Sequence, residues 1–482
     1  MFDLRPVGYV IGLLVTTLGA TMLLPMLVDI AEGRDHWPVF LESAILTSLA
    51  GGLIALACAN GVRDSLSIQQ AFLLTTGVWV VLPLFGSLPL MRGATALSFT
   101  DAYFEAMSGI TTTGSTVISG LDELPGGILL WRGILQWLGG LGIVIVAIIF
   151  LPVMRVGGMQ FFRSEGFDTF GKVLPRTLDI SRGLLVVYFG LSGLCALSYL
   201  GLGMDALDAV VHAMTTISTG GFSTSDSSFA AFPGGVQYAA SVFMLLGAMP
   251  FVRLMQATYG EPEAIWRDSQ IRVFIYWVGV TIGILVAYEI VVSGTISEQA
   301  VRDRLFNGIT LFTGTGYGST DVTAWGPMPF TVLIIVGMIG GCTGSTVCSI
   351  KVFRYQILLR ALQAQILRIG GPHRLVSLKL DGRPIDEDLI NSVMFLFSAY
   401  VIGFGGLAVA LSLVGLPFLE AVTSAWTAIF NVGPAFGEMV GATGSLEAYP
   451  DSAKWIMSFG MLLGRLEIIA VIVLLLPVFW RS

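Results

Sequence analysis

Four windows of fourteen residues recur along the chain, and no other feature restricts its fold as much. Residues 101–114 read DAYFEAMSGITTTG, 208–221 DAVVHAMTTISTGG, 303–316 DRLFNGITLFTGTG and 420–433 EAVTSAWTAIFNVG. They align without a gap. Each begins with a carboxylate and ends in glycine. The sixth residue is small (Ala106, Ala213, Gly308, Ser424). The eighth carries a hydroxyl (Ser108, Thr215, Thr310, Thr427), and the tenth is bulky and apolar (Ile110, Ile217, Phe312, Ile429). Repetition at this depth dictates architecture before local propensity does.

Each window lies between two long apolar segments. The pairs run near 70–91 and 128–153, 184–202 and 235–255, 273–292 and 328–352, and 393–414 and 455–480. Two further apolar segments, near 7–28 and 38–59, precede them. With 55% hydrophobic and 12% charged residues among 482, the chain is a membrane protein, because several runs exceed the ~18–20 residues that cross a bilayer core. The expected fold is all-α and integral to the membrane. It comprises two extra transmembrane helices in residues 1–60 and four helix–pore-loop–helix repeats at 61–158, 183–258, 271–360 and 388–482. These give ten full spans in a pseudo-fourfold arrangement around one pore. The N-terminal run lacks a clear cleavage site and is read as a retained helix.

The windows are too short and polar to cross alone. About ten residues of helix rise ~15 Å, half the ~30 Å core. Each must enter and return on one side. Irregular backbone at that depth is tolerated only inside protein or along a water-filled cavity. Four such segments imply an aqueous path.

Charge placement orients the chain. With the N-terminus inside, all Lys and Arg except Arg34, Arg92, Arg132, Arg302, Arg304, Lys454 and Arg465 lie in cytoplasmic segments or span ends, as the positive-inside rule expects. The windows then open outward, beside turns carrying Asp122, Glu123, Asp226, Asp321, Glu438, Glu447 and Asp451. Such a rim concentrates cations; ordinary solvated loops are the plainer reading. The charges sit in loops, so the balance says nothing of nucleic acid, and no nucleic-acid partner is expected. Cys342 and Cys348 are read as packing residues, with a metal site the alternative. His36, His212 and His373 are too scattered for an intramembrane enzyme, so no catalytic residues are assigned.

The leading acid of each window suits a helix start, where it caps backbone N–H groups and meets the positive dipole end. The negative helix ends then converge on the pore. After each helix come Thr112-Thr113-Gly114, Thr219-Gly220-Gly221, Gly314-Thr315-Gly316 and Asn431-Val432-Gly433. Extended strands of small residues aim carbonyls at an axis and replace an ion's hydration shell. The absence of an Asp or Glu ring at these positions disfavours a divalent-selective filter.

The motifs TTTGST, STGGFST, TGTGYGST and NVGPAFG between paired membrane helices resemble the Trk/Ktr/HKT superfamily of cation transporters. The resemblance covers about residues 60–482, and the two extra helices make it similar to the TrkH-type membrane subunit. It implies potassium uptake across the bacterial cytoplasmic membrane, with K+ held at the twelve residues named above. Glycine at Gly114, Gly221, Gly316 and Gly433 implies K+ selectivity; members with serine at the first favour Na+. A homodimer and a cytoplasmic nucleotide-binding regulatory partner are also implied, docking on basic segments 154–182 and 351–390. Those segments could otherwise bind anionic lipid. No cofactor is expected on this chain, which has no phosphate-binding motif of its own.

The stretch VGMIGGCTGSTVCSIK, with Gly340, Gly341, Thr343, Gly344 and Ser345, interrupts the second helix of the third repeat. Close helix packing is one explanation; the resemblance implies an intramembrane gating loop. Arg465 sits inside the last span with Glu467 behind it. An intramembrane Arg faces a cavity and has a partner, so a structural salt bridge is possible; the resemblance implies an electrostatic barrier below the filter. Lys351 is read as a cytoplasmic-interface anchor, with contact to that region the other reading. His212 is read as packing. A K+/H+ or K+/Na+ symporter on the same scaffold is the alternative function.

Overall fold

The computed structural model describes residues 3–61, 66–149, 177–295, 297–371, 378–441 and 443–480, with side chains at 147–149 and 177–180 outside that description. The described chain is mostly helical. Helices α1 (Arg5–Thr21), α2 (Leu23–Ala31) and α3 (Trp37–Cys58) form an N-terminal hairpin. A Cβ on Gly12 would lie 2.5 Å from Ala55 N, and one on Gly51 would lie 2.5 Å from Thr16 N. The two backbones therefore touch, as small residues permit in lipid.

The first repeat holds α4 (Ile68–Gly86), α5 (Leu88–Arg92), the window helix α6 (Phe99–Ile110) and α7 (Gly126–Ile149). A Ser67–Gln70 capping box starts α4. The N-terminal hairpin is tied to this repeat by side chains on the free N–H groups of α7. Asp29 accepts from Gly127 N at 2.8 Å and Glu32 from Gly126 N at 3.2 Å.

The second repeat holds α8 (Thr177–Gly201), the window helix α9 (Ala206–Ile217), α10 (Gly234–Gly247) and α11 (Phe251–Thr258). A short α12 (Glu263–Arg267) leads to the third: α13 (Ser269–Ser293), α14 (Glu298–Phe312), α15 (Pro327–Ile339) and α16 (Val352–Gly370). A two-stranded hairpin, β1 (Lys379–Leu380) with β2 (Arg383–Pro384), precedes the fourth: α17 (Glu387–Leu413), α18 (Phe418–Phe430), α19 (Asp451–Arg465) and α20 (Ile468–Leu475).

Among the described residues, seven helices are long and apolar enough to cross a membrane, or up to nine if each bent pair is one span. The expectation of ten is not met by this measure. The second segment of the third repeat reaches only thirteen helical residues before it breaks, about 20 Å of rise.

The sequence predicts one interruption; among the described residues three are present. In addition to the break after α15, α10 and α11 bend by 100° and α19 and α20 by 112°. The first bend falls at Pro250, which has no N–H to continue the ladder. The second turns on Glu467, whose φ of 60° is left-handed. Of the basic segments expected to dock a partner, 154–176 and 372–377 lie outside the described residues, as do Arg63, Arg374 and Arg481.

Candidate functional site

The four windows adopt one backbone path. The twelfth residue is left-handed in each: Thr112 at φ 51°, Thr219 at 51°, Gly314 at 65° and Asn431 at 51°. The N–H of the thirteenth donates to the carbonyl of the eighth at 2.9, 2.8, 2.8 and 3.2 Å, in chain order. That closure is the Schellman ending of a helix. The terminal glycines Gly114, Gly221, Gly316 and Gly433 follow at φ 91°, 84°, 85° and 108°.

The leading acids lie inside the helices and do not cap them. Ser98 caps α6 and Ser297 caps α14 through their hydroxyls. Asp205 and Pro417 hold the cap positions of α9 and α18. The helices begin before the windows do, so the acids fall one turn in and take other partners. Asp101 pairs with Lys454, and Glu420 accepts from Met439 N at 3.1 Å.

The four endings touch in a closed cycle. A Cβ on Gly114 would sit 2.3 Å from Gly220 O, and one on Gly221 would sit 1.9 Å from Thr315 O. On Gly316 it would sit 2.2 Å from Val432 O, and on Gly433 2.9 Å from Thr113 O. Only glycine fits that approach at those φ values. Side chains stitch the seams: Ser115 donates to Gly433 O at 2.7 Å, and Asn431 to Thr113 Oγ1 at 2.8 Å. The Tyr317 hydroxyl meets Thr216 Oγ1 at 3.1 Å. All four glycines line one cavity of about 520 Å³ that also takes in Asp226 and Asp321. The other expected rim acids do not line it. Asp226 itself accepts from Gly120 N and Leu121 N, so it also holds a turn.

Two positioning side chains lie in α7, outside the four windows. Arg132, 1% exposed, pairs with the buried Glu105 of the first window at 2.9 Å. It also donates to Ser223 O at 2.8 Å and to Thr116 Oγ1 at 3.2 Å, with its guanidinium over Phe222. One turn on, Gln136 donates to Gly220 O at 2.6 Å and accepts from Phe222 N at 3.0 Å. The signal was present: a lone Arg within ILLWRGILQW and a Glu within a membrane-buried window. Breaking a buried pair strands a charge, at about 3–5 kcal/mol. Arg132→Ala is therefore expected to lower the melting temperature of the purified protein sharply, and Arg132→Ala/Glu105→Ala less than the two single losses added. Additive losses would mean the pair is not coupled.

Residues 340–351 form the break between α15 and α16. Gly340 and Gly344 are left-handed at φ 77° and 75°. The loop docks on the bend of the second repeat: Cys342 N donates to Ala248 O and Phe251 N to Gly344 O, both at 2.9 Å. Thr343 N reaches Gln270 Oε1 at 3.1 Å, and Ser345 Oγ closes on Cys342 O. Thr346 Oγ1 lies 3.0 Å from Ile217 O and accepts from Thr219 Oγ1 at 3.2 Å. The loop thus touches a window directly.

Arg465 is buried against the same loop. It donates to Thr346 O at 3.1 Å, Cys348 Sγ at 2.7 Å and Gly139 O at 3.0 Å. Glu467 is not its partner. The bend at Glu467 turns that carboxylate to Arg354, at 2.6 Å, and Lys351, at 3.8 Å. Lys351 is only 4% exposed, which corrects its reading as an interface anchor: the carboxylate draws it inward. His212 packs as expected, between Asp208 O and Ser223 Oγ. Cys342 and Cys348 are free thiols, and no metal-binding group of His, Cys, Asp or Glu occurs among the described residues.

These features define a multi-pass helical membrane protein whose four glycine-ended windows line one cavity. Residues 36–480 match the family model of the TrkH cation transport proteins. The chain belongs to that family. It is 40% identical to the Trk system potassium uptake protein TrkI of Halomonas elongata, over 99% of this chain and 97% of that protein. To the Trk system potassium uptake protein TrkH of Escherichia coli K12 it is 32% identical, over 99% of each. The crystal structure of the potassium transporter TrkH from Vibrio parahaemolyticus aligns with a TM-score of 0.92 at 31% identity, covering both chains fully.

Proposed function

We propose that this protein takes up K+ across the bacterial cytoplasmic membrane through a selectivity filter built from its four window endings. Potassium uptake is the activity that its relatives' names carry. The observation that supports a filter is the closed cycle of Gly114, Gly221, Gly316 and Gly433, all of which line one cavity. Thr112, Thr113, Thr219, Gly220, Gly314, Thr315, Asn431 and Val432 supply the rest of the lining. Their carbonyls stand in for water around a weakly hydrated monovalent cation. The helix C-termini behind them add negative potential at the same place. On this reading the repeats surround one pore in pseudo-fourfold fashion, and each broken segment counts as a full span, making ten.

The gate in this proposal is the loop bearing Gly340, Gly341, Thr343, Gly344 and Ser345, pinned under the filter by Arg465. The bond between Thr219 and Thr346 supports a loop that senses the filter. Lys351 and Arg354, held by Glu467, form its inner hinge. A second copy of the chain and a cytoplasmic nucleotide-binding subunit complete the assembly, the latter moving the loop. The deciding experiment is K+ and Na+ flux from purified protein in liposomes, with and without that subunit. Selective K+ flux whose reversal potential ignores the H+ and Na+ gradients is expected. A reversal potential that follows either gradient would establish coupled symport, and flux without K+ preference would defeat the filter.

A further inference from the structure

The four filter walls are alike in backbone path but not in what stands behind them. Behind the second wall is Gln136, fully buried on α7. Its amide orientation is set by the backbone groups it meets, since Gly220 O can only accept and Phe222 N can only donate. The Gly220 carbonyl is the thirteenth-position oxygen of its window, equivalent to those of Thr113, Thr315 and Val432. Among the described residues, no hydrogen bond reaches those three oxygens. Gly220 O alone is already engaged, at 2.6 Å. A Cβ on Gly220 would lie 2.3 Å from the Gln136 amide carbon, so the wall and the clamp are in direct contact.

We infer that Gln136 is a specificity-determining positioning residue, clamping Gly220 so that the second wall cannot close around an ion smaller than K+. The inference rests on the reading of the windows as a filter. Two effects act in the same direction. The amide holds the carbonyl at a fixed distance from the axis. The positive end of its N–H dipole also offsets part of that oxygen's negative charge, lowering the field that a passing ion meets. Small, strongly hydrated Na+ gains most from close, strong oxygens, so both effects disfavour it. Arg132, one turn away and bonded to Ser223 O, fixes the same wall further out and does not touch Gly220.

The test uses full-length protein in liposomes, with Rb+ uptake competed by K+ or by Na+. Gln136→Met keeps the length and removes both hydrogen bonds. Gln136→Asn keeps an amide that is one methylene too short to span Gly220 and Phe222, and it carries the test should the Met variant not fold. Each variant is expected to lower K+ over Na+ discrimination by about fivefold, the scale of one net hydrogen bond. The separation between K+ and Na+ in raising the melting temperature of detergent-purified protein should narrow in parallel. A role in folding alone would lower stability or total uptake and leave the competition ratio untouched. Discrimination equal to wild type in a folded variant overturns the inference. Failure of wild type itself to prefer K+ would instead defeat the filter reading.

Discussion

Replacing Arg465 with alanine is expected to raise basal K+ flux about tenfold or more at equal protein in the membrane. The side chain, at the end of α19, ties the loop to α7 through Thr346 O, Cys348 Sγ and Gly139 O. A hydrogen bond from a charged donor contributes about 1.5–3 kcal/mol, and 1.4 kcal/mol is a factor of ten in an equilibrium constant. Losing one of these bonds in the closed arrangement alone is therefore enough. On the proposed path below the filter, the permeating cation would also no longer meet a buried positive charge. Arg465→Lys should fall between, because an ammonium cannot span Thr346 O and Gly139 O as a guanidinium fork does. Liposome flux at or below wild type in a folded Arg465→Ala protein would leave Arg465 a purely structural cation.

Gly114→Ser is expected to lower K+ over Na+ discrimination at least about tenfold, with slower K+ uptake. Two costs coincide at this position. A side chain at φ 91° is strained, typically by about 1–3 kcal/mol. Its Cβ would meet Gly220 O at 2.3 Å and Gly433 Cα at 3.5 Å. Those atoms are backbone, with no rotamer to yield, so the first and second walls must move apart. On the filter proposed above, carbonyls displaced from a shared axis no longer match K+. Competition of K+ and Na+ against Rb+ uptake reads this directly. A serine variant with wild-type competition would mean that Gly114 does not shape the ion path.

Much of this site is legible in one dimension. The fourteenth position of each window announces its left-handed backbone by being glycine, whereas the turn that closes the helix falls at the twelfth, where only Gly314 is glycine. The thirteen-residue α15 and the loop from Gly340 were visible because glycine weakens helix. Pro250 was equally visible, yet the apolar run around it masked the bend. The bend at Glu467 has no local cause, since neither glycine nor proline follows Arg465 before Pro477. There the determinants are remote: Arg354 and Lys351 draw the carboxylate aside, and Gly464 packs so closely that a Cβ would lie 2.1 Å from Ile429 O. The leading acids were misread because a capping side chain and an acid in the first turn look alike in composition. Only backbone angles show where a helix starts.

By itself, then, the sequence determined that the chain lives in a membrane, that four windows share one design, and which glycines end them. Periodicity and backbone chemistry act between near neighbours, so they are written along the chain. The partners of each buried charge were decided by tertiary structure alone: Arg132 with Glu105, Glu467 with Arg354, and Arg465 with the carbonyls of a distant loop. The reason is electrostatic. In a low-dielectric interior a charge must be paired or hydrogen-bonded wherever the packing brings a suitable group, and separation along the chain places no limit on which group that is.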